Sequence, residues 1–378
     1  MSPAKIPLAL YVHLPWCVRK CPYCDFNSHE SPQLRPQEAY LQALLRDLSW
    51  QKELTQGRAL VSIFFGGGTP SLMSPSFYQQ LLQAIDSELG LTAGIEITME
   101  ANPGTMEHGD WRAYARAGIN RISLGVQSFD DQRLAALGRI HDAQAADQAL
   151  HTLRAAGFER INIDLMHGLP GQDVAGARRD LQRAIAHEPE QISWYQLTLE
   201  PNTVFYRQQP ILPDEDTREA IDEQGAALLQ AAGYQPYEVS AWTRAQPAAH
   251  NLNYWTFGDY LALGAGAHGK ISRPDGIYRY QQTRLPEDYM RAMQNGRYAA
   301  LKKITGSELP FEFFMNALRL RQGVPRALFT ERTGCPEGQA QACLKEAQRQ
   351  GLVESEGERW VCTALGYRFL NRVLEQLT

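Results

Sequence analysis

"LALYVHLPWCVRKCPYCDFNSH" (residues 8–29) joins an apolar run to a loop holding three of the chain's six cysteines, Cys17, Cys21 and Cys24. A short apolar run of this kind reads as a buried strand. Thiols set directly after a strand lie where parallel sheets gather their ligands, at the carboxyl end. The C-x3-C-x2-C spacing suits one cluster, since soft thiolates favour iron–sulfur or zinc. Three thiols fall one short of a tetrahedral set, so a four-iron cluster held this way keeps one iron open, much as catalytic zinc sites do. A zinc site completed by His29 or His13 is the alternative, and it fits less well because zinc knuckles usually carry C-x2-C. Uncoordinated core cysteines are the remaining alternative, less favoured than zinc.

Outward from this loop, strand-like runs recur at 8–14, 60–66, 95–100, 121–126, 161–166 and 192–197. Amphipathic stretches such as "EAYLQALLRDLSWQKEL" and "AQAADQALHTLRAAG" lie between them. Several end near glycine, at Gly57, Gly118 and Gly157, as left-handed helix caps do. Strand–helix alternation predicts parallel βαβ units, and six units predict a partial (β/α)6 TIM-like barrel. Past residue 200 the pattern breaks into a proline-containing connector, a helix around 215–232, and short strands with interleaved aromatics over 234–283. From about 308 the order helix, helix, hairpin ("LVESEGERWVCT"), helix ("ALGYRFLNRVLEQL") predicts a mostly helical, winged-helix-like module that packs or docks rather than reading DNA. The expected division is 1–205 barrel, 206–305 extension and connector, and 306–378 C-terminal module.

A net charge of −5 supplies no electrostatic footprint for nucleic acid or an anionic membrane. Six cysteines, half of them in one cluster, do not form a disulfide framework. The N-terminal apolar run is too short for a signal peptide, and no stretch approaches the roughly 20 apolar residues of a membrane helix. These features lead to the expectation of a cytoplasmic globular protein with reduced thiols.

Polar punctuation follows each strand in turn: the cysteines, "GGGTP" (66–70), "EANP" (100–103), "QSF" (127–129) and "HGLP" (167–170), with Asp164 inside the fifth strand. Bare glycines let a ligand approach the backbone, whose amides can hold a carboxylate or orient the partners of an ammonium group. A tight βα turn explains them equally well. Glu100, Asp164 and Arg139 are single charges near strand ends, and each suits a polar, zwitterionic nucleoside if it is not simply solvated.

"CVRKCPYC" together with "GGGTP" resembles the radical S-adenosylmethionine (SAM) superfamily, in which a three-cysteine loop holds a [4Fe–4S] cluster whose open iron takes SAM. "FFGGGTPSLM", "EITMEANPGT", "RISLGVQSF", "LGRIH", "DLMHGLP" and "HNLNYW" follow in the order of coproporphyrinogen dehydrogenase-like proteins, and are most similar to the HemW-type haem-chaperone branch. This resemblance covers nearly the whole chain. It implies that Cys17, Cys21 and Cys24 bind the cluster, and that Tyr11, Tyr23, Gly67, Gly68, Thr69, Glu100, Gln127, Arg139 and Asp164 line the SAM pocket. True dehydrogenases carry a further cysteine two residues after the third cluster thiol. Phe26 stands there and can transfer neither a hydrogen atom nor a proton, so decarboxylation of coproporphyrinogen is not expected.

The branch implies haem as ligand, with His250 of "HNLNYW" as an imidazole ligand and Tyr254 and Trp255 as flat walls. His268 in "GAGAHGK" competes, because its glycine neighbours permit close approach. The implied partner is an acceptor haem protein, membrane-associated in one version, which would place this chain at the inner face of the membrane. A homodimer is one assembly considered. A radical SAM methyltransferase acting on a tetrapyrrole or another aromatic substrate is the main enzymatic alternative. Cys335, Cys343 and Cys362 in the tail read as small core residues.

Overall fold

The computed structural model describes residues 2–31, 36–106 and 109–377 of the 378-residue chain. Its first half alternates strand and helix: β1 (Leu8–Leu14), α1 (Gln37–Gln51), β2 (Leu60–Gly67), α2 (Pro75–Leu89), β3 (Leu91–Ala101), α3 (Trp111–Ala117) and β4 (Arg121–Gln127). Then come α4 (Asp131–Ala136), α5 (Ala143–Ala155), β5 (Ile161–His167), α6 (Val174–Ala186) and β6 (Gln191–Gln196). Each strand pairs in parallel with the next, as parallel strands joined by helical crossovers do.

Local chemistry sets these boundaries. Asp142 and Asp173 cap α5 and α6 by accepting from the amides of Ala145 and Gly176, and Ser74 with Pro75 opens α2. At the end of α3, Gly118 takes φ +115°, the left-handed cap that the sequence predicts. Leu8, Leu10, Val12 and Leu14 of β1 are fully buried between the helices and the rest of the sheet. Burial of such side chains stabilises the fold by about 1.5–3 kcal/mol each.

The sheet does not stop at six strands. After β6 come α7 (Val204–Gln208), α8 (Glu215–Ala231), β7 (Gln235–Pro236), β8 (Ala241–Thr243), α9 (Ala249–Trp255), β9 (Asp259–Leu263), β10 (His268–Arg273), β11 (Gly276–Gln281), α10 (Pro286–Gln294) and β12 (Lys302–Lys303). β9 pairs in parallel with the free edge of β1, and β10, β11 and β12 continue outward antiparallel. On the other side β8 and β7 extend β6. The result is one twelve-stranded open sheet running β12-β11-β10-β9-β1-β2-β3-β4-β5-β6-β8-β7. The expected six parallel strands are its centre, and the segment read as connector supplies both flanks.

The C-terminal module contains α11 (Leu309–Ala317), α12 (Arg326–Thr333) and α13 (Glu337–Arg349), with a small sheet of β13 (Val324–Pro325), β14 (Val353–Glu356) and β15 (Arg359–Cys362). Phe314 packs against Phe329 and Trp360 at its centre. Cys335 and Cys362 are buried in that core, and Cys343 packs against it. The single last helix predicted from sequence is two, α14 (Ala364–Arg368) and α15 (Leu370–Glu375), because Phe369 leaves helical geometry at φ −114°, ψ 36°.

Candidate cofactor site

A cavity of about 420 Å³ opens at the carboxyl ends of the central strands. Cys17, Cys21 and Cys24 all line it, on a loop closed by parallel pairing of Trp16–Cys17 with His29–Glu30. Lys20 Nζ donates to the Phe26 carbonyl at 3.0 Å and holds the loop tip. Burial pushes the Cys17 and Cys24 thiols above their ordinary range, a penalty that a cationic cluster would relieve when it displaces the protons. Arg139 Nη1 lies 3.6 Å from Cys21 Sγ, and its buried Nε has no partner among the described residues.

The donor set fits a cluster better than a single ion. Both nitrogens of His13 are engaged, Nδ1 by Tyr11 Oη at 2.9 Å and Nε2 by the Asn27 carbonyl at 2.8 Å. His29 Nε2 lies 3.2 Å from Asn27 Oδ1. His13 has no ring nitrogen left for zinc and His29 does not line the cavity, and among the described residues no group of three or more His, Cys, Asp or Glu side chains is placed to hold a single ion.

Beyond the thiols the cavity is walled by alternate residues of three adjacent strands. Arg121, Ser123, Gly125 and Gln127 of β4, Asn162, Asp164 and Met166 of β5, and Gln191, Ser193 and Tyr195 of β6 all face it. The register sets Ser123 opposite Asn162, Gly125 opposite Asp164, and Asp164 opposite Ser193. Asp164 accepts from Ser123 Oγ and Asn162 Nδ2, both at 2.8 Å. Glu100 Oε2 accepts from the Gly67 amide at 3.1 Å. Burial first, then the neighbouring Asp164, push the Glu100 carboxyl up to about 8, and burial also raises Asp164. Two half-buried acids on one cavity wall, with the Arg121 charge only partly offsetting the rise of Asp164, form a candidate place for a positive group. Gln127 sits at φ +71°, an uncommon conformation for a non-glycine residue, with Tyr195 Oη donating to its Oε1 at 2.8 Å.

The glycines act differently from one of the two roles expected of them. Their amides are not bare: Gly67 donates to Glu100, and Gly68 donates to the Leu14 carbonyl at 2.8 Å. A Cβ on Gly67 would meet the His13 ring at 2.7 Å, and one on Gly68 would meet the Trp16 carbonyl at 2.5 Å. They admit close packing against β1 and orient a carboxyl, which is the other role the sequence suggested.

Tyr23, Gly67, Gly68, Thr69, Glu100, Gln127, Arg139 and Asp164 share this cavity with the thiols. Tyr11 lines a second, adjoining chamber of about 450 Å³ with Phe26, Tyr254, His268 and Arg284. The "HNLNYW" residues do not share one wall. His250 is 7% exposed, faces the first cavity, and holds its Nδ1 3.3 Å from Glu96. Tyr254 faces the second chamber, while Trp255 lies under the Arg319 guanidinium, 4.4 Å from its ring centroid. Sequence reasoning missed Arg121, Ser123, Asn162, Ser193 and Tyr195. The signal was present as polar residues at every second position of three successive strands, where both-face burial normally makes parallel strands apolar.

Residues 11–183 match the family model described as the radical SAM superfamily, and residues 304–369 match the HemN C-terminal domain. The chain is 49% identical over 372 residues to the protein named "Heme chaperone HemW" of Escherichia coli (strain K12), covering 98% of this chain and 97% of that one. It is 34% identical over 397 residues to "Radical S-adenosyl methionine domain-containing protein 1, mitochondrial" of Bos taurus, covering 100% and 88%. Among solved structures, the coproporphyrinogen III oxidase HemN of Escherichia coli superposes with a TM-score of 0.82 at 23% identity, covering 99% of this chain and 90% of that one.

Proposed function

The chain belongs to the heme chaperone HemW family within the radical SAM superfamily, and from that premise we propose that it binds haem and passes it to an acceptor haem protein. The observation that carries this reading is the junction at Phe26. The three-thiol cavity and the second chamber share Asp25, Phe26, Gly67 and Glu100. Phe26 itself is 59% exposed, an aromatic face left for a flat apolar ligand.

In this reading Cys17, Cys21 and Cys24 hold a [4Fe–4S] cluster, which with SAM at its open iron supplies one-electron chemistry. Arg139 balances thiolate charge beside Cys21. Glu100 and Asp164 receive the positively charged part of SAM, and the Gly67 amide fixes the orientation of Glu100. Ser123 and Asn162 hold Asp164 in place, and Gln127 with Tyr195 closes the polar wall. Phe26 offers no proton or hydrogen atom where the dehydrogenase has a thiol, so the chain's residues bind and orient rather than decarboxylate. No helix among the described residues is long and apolar enough to cross a membrane; a peripheral position near a membrane acceptor, and a homodimer, belong to the same proposal.

Anaerobically reconstituted protein titrated with haemin should give a saturable Soret band, with Cys21→Ser losing the iron–sulfur absorbance and bound iron. Absence of haem binding, together with consumption of coproporphyrinogen III in the presence of SAM and reductant, would sink the chaperone reading. Methylated product with S-adenosylhomocysteine would do so in favour of a methyltransferase.

A further inference from the structure

We propose that haem seats in the second chamber, with His268 as axial ligand, Phe26 and Tyr254 against the macrocycle, and Arg284 facing a propionate. This rests on the haem-binding reading above. At about 450 Å³ the chamber falls within the roughly 300–1,000 Å³ typical of small-ligand sites. Its floor is fixed rather than loose. Asn27 Nδ2 donates to the carbonyls of Ala265 and Arg284, both at 2.9 Å, tying the cysteine loop to the turn before β10. Gly266 in that turn takes φ +78°, and a Cβ there would strike Asn27 Nδ2 at 2.3 Å.

His268 opens β10 from this turn, exposed to solvent at the chamber. Among the described residues neither of its ring nitrogens has a hydrogen-bond partner, in contrast to the fully engaged His13. His250 is placed less well for this role. Its ring packs 4.1 Å from Phe64, its Nδ1 is held by Glu96, and it faces the cavity assigned to the cluster and SAM. Arg284 uses Nε toward Asn27 Oδ1 at 3.3 Å, and its remaining guanidinium nitrogens point no hydrogen bond elsewhere among the described residues. Planar anion recognition is what such a group does.

The test is a haemin titration of the full-length, reconstituted protein, followed by absorbance and electron paramagnetic resonance. Wild type should bind one haem per chain. His268→Ala should weaken binding at least tenfold and shift the Soret band, and added imidazole should restore the band in His268→Gly. Arg284→Gln should weaken binding severalfold without moving the band. Unchanged affinity and Soret position in His268→Ala, with iron content and circular dichroism as in wild type, would overturn the assignment of His268. Failure of wild type to bind haem would overturn the haem-binding reading as well, so the two failures are told apart by which protein shows them.

Discussion

Asp259 on one side of β1 is fully buried, the pair Glu100–Asp164 on the other is half-buried at a cavity, and these acids of one sheet meet desolvation in opposite ways. Asp259 accepts from Lys270 Nζ and from Arg58 Nη1, both at 2.8 Å, and from the Ser272 amide and hydroxyl. Burial alone would push its carboxyl up, but Lys270 and Arg58 more than offset that and hold it below the usual range. Glu100 and Asp164 accept hydrogen bonds from neutral donors only, and both are raised, Asp164 despite the Arg121 charge. The first arrangement is complete and pins β9 to β10 where the sheet extends beyond β1. In the function proposed above the second is completed by a cationic ligand, which is the difference between a structural charge and a binding site.

The largest effect should come from breaking the complete network. Lys270→Met leaves Asp259 with less than its full compensation in a site fully closed to water, and removing one partner of a buried pair costs about 3–5 kcal/mol. Chemical denaturation should show a matching fall in midpoint without a change in slope. A variant as stable as wild type would mean that the network is not what holds the flank.

Breaking the incomplete pair should act the other way. Glu100→Gln removes a carboxyl that burial first, then Asp164, make costly to ionise, so the ligand-free protein should be as stable as wild type or more so. SAM affinity should fall by about tenfold to a hundredfold, the worth of one charge-assisted hydrogen bond. The sign with pH follows from linkage. Between the ordinary value of 4.5 and about 8, folded Glu100 keeps a proton that the unfolded chain has released, so its contribution to stability falls as pH rises through that window. Asp259 is depressed, so its contribution is present above its ordinary value of 3.8 and is lost only as pH falls below it. Ligand-free wild type should therefore lose stability from pH 5 to 8 on account of Glu100, and Glu100→Gln should flatten that slope. A slope unchanged in the variant would show that Glu100 titrates like an exposed acid.

The contrast also explains what the sequence could reveal. The six central strands, the thiol loop and the glycine run are local signals, each carried by consecutive residues, and they are legible without the fold. Asp259 read as nothing in particular, because Lys270 and Ser272 reach it only through the antiparallel β9–β10 pairing and Arg58 reaches it from some 200 positions away. Arg121, Asn162 and Tyr195 left a sequence signal as alternating polar positions, but only the strand register shows that they share one wall. The placing of Trp255 under Arg319 depends on the C-terminal module, which no motif in "HNLNYW" encodes.

The smallest effect makes the comparison strictest. Lys52 Nζ lies 2.8 Å from Glu88 Oε2, the same separation as Lys270 from Asp259, but these side chains are 54% and 35% exposed against 1% and 0%. Water and salt screen the exposed pair in both the folded and unfolded chains, so Lys52→Ala should change stability by no more than about 0.5 kcal/mol. That small change should shrink further at high ionic strength, where the Debye length is only about 3 Å at 1 M salt, whereas the Lys270→Met penalty should persist. Equal losses from the two lysine variants would mean that separation, not burial, sets the worth of an ion pair in this sheet, and the distinction between complete and waiting charges would fail with it.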